Sequence, residues 1–353
     1  MTAPRFSIAM ATYNGERFLK DQLESLARQT LLPFELIVCD DGSTDKTLSI
    51  LEAFAERSPF EVRICQNERN LGYGDTFLKS ASLCKGDWIA FCDQDDVWLH
   101  HKLARCAGVV VEHPEVYLLS HSADQVDAHL RALPYRIPDH RSFSITGPLQ
   151  NKPLAVLSGF TCCVRRDLLK QASIHQRPKH MRKPGEKQPH DSFVYHLANT
   201  YGHIARLPES LVLYRRHDMT VTGLTGTGLH DRKQFLDRLK ALPSGRDTEL
   251  RQKADHARQH QVYYQRILDR AQRDCADAFF VTRTRDAITY YGEVAAAFET
   301  RAAIYRPGTD LASRVRAFLR GLRQGAYGDF STGRGFGRKA MAKDLARLVA
   351  SDR

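Results

Sequence analysis

Ile89-Ala90-Phe91-Cys92-Asp93-Gln94-Asp95-Asp96-Val97-Trp98 is the stretch that decides the fold. Four apolar residues run straight into three carboxylates spread over four positions. An unbroken apolar run bounded by polar turn residues is the pattern of a strand buried on both faces. In open α/β sheets, ligands bind beyond the carboxyl ends of such strands. The spacing therefore predicts an acidic cluster at a sheet edge, facing a crevice. Asp93 and Asp95 crowd each other there, and a cation between them relieves the repulsion. Oxygen donors of this kind suit Mg²⁺ or Mn²⁺ and leave coordination positions for water and substrate phosphate. Taken alone, the same residues also describe a solvated acidic turn.

The flanking sequence repeats one pattern. Phe6 to Ala11 reads as a strand, and Glu16 to Gln29 as a helix with Leu19, Leu23 and Leu26 on one face. Phe34 to Cys39 is a second strand, followed by a helix carrying Leu48, Leu51, Phe54 and Ala55. Glu61 to Cys65, a helix over 75–84, and Asp87 to Cys92 complete the series. Strands alternating with helices argue for right-handed βαβ units and a mainly parallel sheet. Three strand ends carry polar groups: Thr12-Tyr13-Asn14, Asp40-Asp41 and the acidic cluster. In a parallel sheet they converge on one edge, which predicts a nucleotide-sized site.

Beyond Trp98 the sequence predicts a helix to about His113, a strand over Val116 to Ser120, and a long surface loop over 134–153. Leu157 to Val164 reads as a strand, 176–188 as a basic loop, and His190-Asp191 as the opening of a helix. His203 to Leu207 and Ser210 to Tyr214 read as two short strands. From about Gly223 long charged helices take over. We therefore expect an α/β domain over 1–225 and a helical region over 226–353 that is basic at its end.

The 353 residues carry a net charge of +11, which points to acidic partners such as nucleotide phosphates, nucleic acid or anionic lipid. Eight cysteines form no C-x-x-C pair, so structural zinc and a disulfide framework are not expected. No apolar run approaches the ~20 residues of a membrane span, and the first residues lack the apolar core of a signal peptide. The cytoplasm is the expected compartment. Residues 311–353 hold ten Arg and Lys against three Asp. Leu311, Val315, Phe318 and Leu322 lie at helical spacing among Arg314, Arg316, Arg320 and Arg323. That describes either a basic amphipathic helix at the inner face of a membrane or a helix packed on the domain before it.

Ala11-Thr12-Tyr13-Asn14, Asp40 to Asp45, Asn67 to Gly72, Asp93 to Asp96, His190-Asp191 and Tyr214-Arg215-Arg216-His217 follow one another in a recognisable order. In these six elements, over roughly residues 5–225, the chain resembles the family 2 glycosyltransferases. Tyr214 through Gly223 is similar to the Y-R-x-H…G element of their bacterial rhamnosyltransferase-like branch, with Thr220 where that branch has Asn. The resemblance implies a GT-A fold and inverting transfer of one sugar from a nucleotide-diphosphate donor, UDP- or dTDP-linked. The acceptor would be a glycan or lipid-linked glycan of surface polysaccharide: lipopolysaccharide O-antigen, capsule or exopolysaccharide. The Q-x-x-R-W motif of the processive synthases is missing, which favours single-sugar transfer. By the same resemblance, Asp95 carries Mn²⁺ or Mg²⁺, and Asp93 either shares the ion or contacts the ribose. Thr12 and Tyr13 line the base pocket, and Asn14 is a nucleotide-binding residue beside them. Asp41 accepts from the ring N3–H of uracil or thymine, with Asp40 as the alternative. Asn70 and Gly72 belong to the nucleotide loop, and Asp191 is the base that takes the acceptor proton. His217 reaches the metal or the diphosphate, Arg215 pairs with phosphate, and Trp98 is a sugar platform or core.

Two other readings compete. Asp93-Gln94-Asp95-Asp96-Val97 also fits the nucleophile motif of a haloacid-dehalogenase-type phosphatase, but the later G-D-x-x-x-D motif is missing. A basic polysaccharide- or nucleic-acid-binding protein would explain the tail. No recognised nucleic-acid module accompanies it, so nucleic acid is not an expected partner.

Overall fold

The computed structural model describes residues 3–170, 172–181, 183, 185–218, 245–274, 276–328 and 336–349. Its first half alternates β1 (Phe6–Thr12), α1 (Leu19–Ala27), β2 (Glu35–Asp40), α2 (Thr47–Ala55), β3 (Glu61–Gln66), α3 (Tyr73–Leu83) and β4 (Trp88–Cys92). The four strands are parallel in the order β3-β2-β1-β4. Chain order reverses beside β1, the kind of switch point where such sheets bind ligands.

The apolar runs are continuous because each strand serves two cores. Ile8, Met10, Leu36, Val38, Ala90 and Cys92 enter one cluster with Leu19, Leu23 and Leu26 of α1. The alternate residues Ala9, Ile37, Ile89 and Phe91 enter a second cluster on the opposite face. Burying a Leu, Ile or Phe side chain contributes about 1.5–3 kcal/mol, so a register slip would be costly on either face. β3 is the half-exposed edge, and charged Glu61 and Arg63 blunt it.

The sheet then becomes mixed. β5 (Val97–Trp98) leads to α4 (Lys102–Glu112) and β6 (Val116–Val126), which is twice the length expected. β7 (Ala132–Arg136) and β8 (Ser144–Thr146) lie where a loop was expected over 134–153. Both are short: β7 folds back on β6 as a hairpin, and β8 pairs with the distant β10 (His203–Arg215). β10 itself merges two predicted strands. Its register shifts between Leu207 and Ser210, at Pro208, so the chain bends without leaving the sheet. β9 (Cys162–Arg165), α5 (Arg166–Lys170) and α6 (His190–Tyr201) complete this half. The full order among the described residues is β3-β2-β1-β4-β9-β6-β10-β5.

The C-terminal region is helical: α7 (Arg246–Arg273), α8 (Ala278–Tyr305), α9 (Leu311–Arg323) and α10 (Gly337–Val349). Asp277 and Asp310 cap α8 and α9 through Phe279 N and Ser313 N. The expected boundary at 225/226, with Thr220 and Gly223, lies outside the described residues. The helices share the second core: Tyr264 and Tyr291 belong to the cluster that holds Ile37 and Phe91. Thr200 Oγ1 donates to Tyr264 Oη at 2.8 Å, and Tyr201 Oη lies 3.0 Å from Thr284 Oγ1. No described helix is long and apolar enough to cross a membrane.

Candidate active site

Thr12, Asp40 and Cys92 end three adjacent parallel strands, so the residues after them share one edge of the sheet. Side chains fix these loops in place. Asp40 accepts from Thr12 Oγ1 (2.9 Å), Ser43 Oγ (2.5 Å) and the backbone N–H groups of Gly42 and Ser43. It is a buried turn clamp. Asp41 is buried too, and its carboxylate accepts from Leu71 N (2.8 Å), Gly72 N (2.9 Å) and Asn67 Nδ2 (2.7 Å). Asn70 Nδ2 donates to Asp41 O at 3.1 Å. Asp41 thus moors the loop carrying Asn70 and Gly72 against β2, a bond set the sequence did not foretell. Asn14 sits at φ 47° and its Oδ1 accepts from Thr44 N, joining the first and second loops.

Tyr13 is exposed at the rim, and Gln94 holds its backbone at both ends. Tyr13 N donates to Gln94 Oε1 (3.0 Å), and Gln94 Nε2 donates to Tyr13 O (3.1 Å). Gly15 makes room for this, since a Cβ there would lie 2.4 Å from Gln94 Oε1.

The acidic cluster is crowded. Oxygens of Asp93, Asp95 and Asp96 lie within 4.8 Å of one another. Burial, then the Asp95 and Asp191 charges, push Asp93 up to about 8. Burial also holds Asp96 well above the ordinary carboxylate range. One Asp96 oxygen accepts from Arg215 N at 2.9 Å, and the other has no partner among the described residues. His217 Nε2 faces Asp95 Oδ2 at 2.8 Å, its ring 4.6 Å from that of Phe18. Two crowded carboxylates and an imidazole nitrogen form a donor set that fits Mn²⁺ or Mg²⁺ chemically. Beneath them lies Lys102, fully buried, its ammonium 3.5 Å over the Trp98 ring and donating to Phe160 O. Trp98 is therefore core and not a sugar platform.

Arg215 differs from expectation. It is 2% exposed, and its donors are used internally: Nε to Asp95 O, one terminal nitrogen to Ala128 O, the other to Asp21 Oδ2 at 2.9 Å. Its guanidinium also stacks 4.4 Å over Phe18. A phosphate contact would break these bonds, so Arg215 positions Asp95 and Asp96 instead.

Asp191 lies in the first turn of α6, where Ser192 N donates to its Oδ1 at 2.6 Å. Burial raises its pKa to about 6 despite that bond. Its charge acts on Asp93, and both act on Tyr73, whose phenol burial and these carboxylates push upward. The base candidate and the acidic cluster thus share one site. Tyr73, Gln94, Phe18 and Lys102 are site residues that the sequence reading missed. Tyr73 had one available signal, its place directly after Gly72 in a predicted nucleotide loop.

The description "Glycosyl transferase family 2" matches residues 7–172. Over those residues the chain is similar to the glycosyl transferase family 2 domain. An uncharacterized protein of Mycobacterium tuberculosis is 28% identical over 236 residues, 65% of this chain, and the match spans 63% of that protein's length. A Mycobacterium bovis "PGL/p-HBAD biosynthesis glycosyltransferase" is 39% identical over 114 residues, 32% of this chain and 44% of its own. S. aureus TarS, solved in complex with UDP-GlcNAc, aligns over 98% of this chain and 89% of its own, with a TM-score of 0.52 and 19% identity. This likeness extends beyond the family 2 domain into the helical region. The fold is GT-A: a mixed sheet with a parallel half, followed by C-terminal helices.

Proposed function

We propose that the chain is an inverting, metal-dependent glycosyltransferase that moves one sugar from a uridine- or thymidine-diphosphate donor to a glycan or lipid-linked glycan acceptor. One observation carries the reading: the Asp95–His217 pair and Asp191 flank Asp93 in a single site at the sheet's switch point. The family 2 domain and the UDP-GlcNAc bound by TarS support a nucleotide-sugar donor. The rhamnosyltransferase-like motifs support a surface-polysaccharide role.

In this mechanism Thr12, Tyr13 and the loop moored by Asp41 cradle the nucleotide. Asp93, Asp95 and His217 would hold Mn²⁺ or Mg²⁺, which would supply positive charge to the leaving diphosphate. Arg215 fixes Asp95 through its carbonyl. Asp191, ionised above about pH 6, accepts the proton of the acceptor hydroxyl as that oxygen attacks the anomeric carbon from the face opposite the diphosphate. The helices fit peripheral contact with an anionic membrane surface, which would bring a lipid-linked acceptor within reach.

Calorimetric titration of uridine, deoxythymidine and guanosine diphosphates, with and without Mn²⁺, tests the reading. Tight binding of one pyrimidine diphosphate that requires Mn²⁺ is expected. Equal, metal-independent binding of all three, or none at all, would overturn it.

A further inference from the structure

We propose a second metal site, distinct from the acidic cluster, in which His196, His256 and His260 bind Zn²⁺ at the seam between α6 and α7. Their ligating nitrogens lie within 4.8 Å of one another, and all three side chains are buried. His256 and His260 are spaced i, i+4 on α7, so they present imidazoles from one helix face, the spacing by which helical histidine pairs chelate zinc. His196 faces them from α6.

The site is polar and buried, and part of it is unpaired. His256 Nδ1, His260 Nδ1 and Gln188 Oε1 have no hydrogen-bond partner among the described residues. His196 lies between two carbonyl oxygens, with Nε2 3.0 Å from Pro153 O and Nδ1 2.5 Å from Ser192 O. A neutral ring can donate to only one of them. The Gln188 amide nitrogen lies 2.9 Å from Nδ1; in the tautomer with Nε2–H donating to Pro153 O, the Nδ1 lone pair accepts from that amide, and an ion would take the amide's place. Burial pushes His196 down to about 4 and His256 down to about 3, so the rings are neutral at physiological pH, as metal ligation requires.

Imidazole nitrogens suit Zn²⁺ over the hard cations that fit the acidic cluster. The rings of His196 and His260 stack at 4.0 Å, 28° apart. Convergence on one ion requires them to turn about the soft Cβ–Cγ torsion. An ion here would pin the helical region to the helix that opens with Asp191. The absence of paired cysteines in the sequence hid it.

The test uses the full chain carrying Asp95→Asn, stripped with chelator, loaded with Zn²⁺ alone and gel-filtered. We expect one equivalent of Zn²⁺ per chain, a raised melting temperature, and three imidazoles in the zinc-edge absorption spectrum. His260→Gln or His256→Gln on that background should weaken Zn²⁺ binding at least tenfold. Loss of the equivalent in the Asp95→Asn chain, or its full retention in both histidine variants, would overturn the proposal. Should both histidine variants fail to fold, the absorption spectrum decides alone: three imidazoles support the site, fewer sink it.

Discussion

His217 Nε2 meets Asp95 Oδ2 at 2.8 Å although 122 residues separate them. The contact ties the residues after β10 to the loop after β4. If both are metal ligands, Asp95→Ala should abolish Mn²⁺-dependent nucleotide binding, and His217→Gln should weaken it roughly 10–100-fold. Calorimetry in Mn²⁺ measures both. Unchanged Mn²⁺ affinity in His217→Gln would restrict His217 to a structural role on Phe18.

Asp191 should show itself in two independent readouts. As a general base it should contribute about 10²–10⁴ in rate, so Asp191→Asn should lose that factor while donor binding persists. With its pKa at about 6, wild-type turnover should climb as pH rises through 6 and level off above it. Stability has the opposite sign. The folded pKa is raised above the unfolded carboxylate value near 4, so the native state holds the proton more tightly. That contribution is full below about pH 4 and is lost as pH climbs through 6. At pH 7.5 the buried charge is a cost, and Asp191→Asn should stabilise the fold by roughly 1–3 kcal/mol. Chemical denaturation at pH 7.5 measures it; a destabilised variant would contradict the buried-charge account.

Gly15 and Gln94 should be coupled. A Cβ at residue 15 would lie 2.4 Å from Gln94 Oε1, so Gly15→Ala must push the amide off the Tyr13 backbone. We expect several-fold weaker nucleotide binding with little change in melting temperature. Gln94→Ala should produce a similar loss. The double variant should be no worse than either single one, a coupling that a double-mutant cycle reads directly. Additive losses would show that the two residues act separately.

The parallel half was legible because β1, β2 and β4 bury both faces, which writes the strands as unbroken apolar runs ending in polar loops. β7 and β8 were not: β7 contains Pro134 and is followed by Pro138, and β8 is three residues long, is followed by Pro148 and finds its partner only in β10. Motif order put Asp95, His217 and Asp191 on the page but not their distances. The task of Arg215 was misread because one partner, Asp21, lies 194 residues away. Helical spacing also did not tell inside from outside in α9. Phe318 packs inward beside Tyr327, and the outward apolar residues are Leu311, Leu319 and Leu322.

Arg215→Lys separates positioning from phosphate binding. Lysine cannot reproduce a fork that reaches Asp95 O, Ala128 O and Asp21 together. Removing one member of a buried charged network costs about 3–5 kcal/mol. Asp21 is half-exposed and keeps a cationic neighbour in this variant, so we expect about 2 kcal/mol. Mn²⁺ affinity should fall with it, because Asp95 loses its anchor. Metal-free affinity for a nucleoside diphosphate should not move. A selective drop in that metal-free affinity would restore Arg215 to the phosphate.

The outward stripe of α9 sets the last prediction. Leu311, Leu319 and Leu322 are exposed, with Arg316, Arg320 and Arg323 each beside the stripe, while Ala317, Phe318 and Gly321 face the protein. An amphipathic helix with basic flanks gains from apolar insertion and from attraction to anionic lipid, each Arg near such a surface contributing about 1 kcal/mol. Sedimentation with vesicles containing phosphatidylglycerol should pull down the wild type, and high salt should weaken that binding. Changing the three leucines to serine touches no buried contact, so the fold should persist while co-sedimentation falls at least tenfold. Co-sedimentation that survives both the serines and high salt would mean that α9 is not the membrane-facing element.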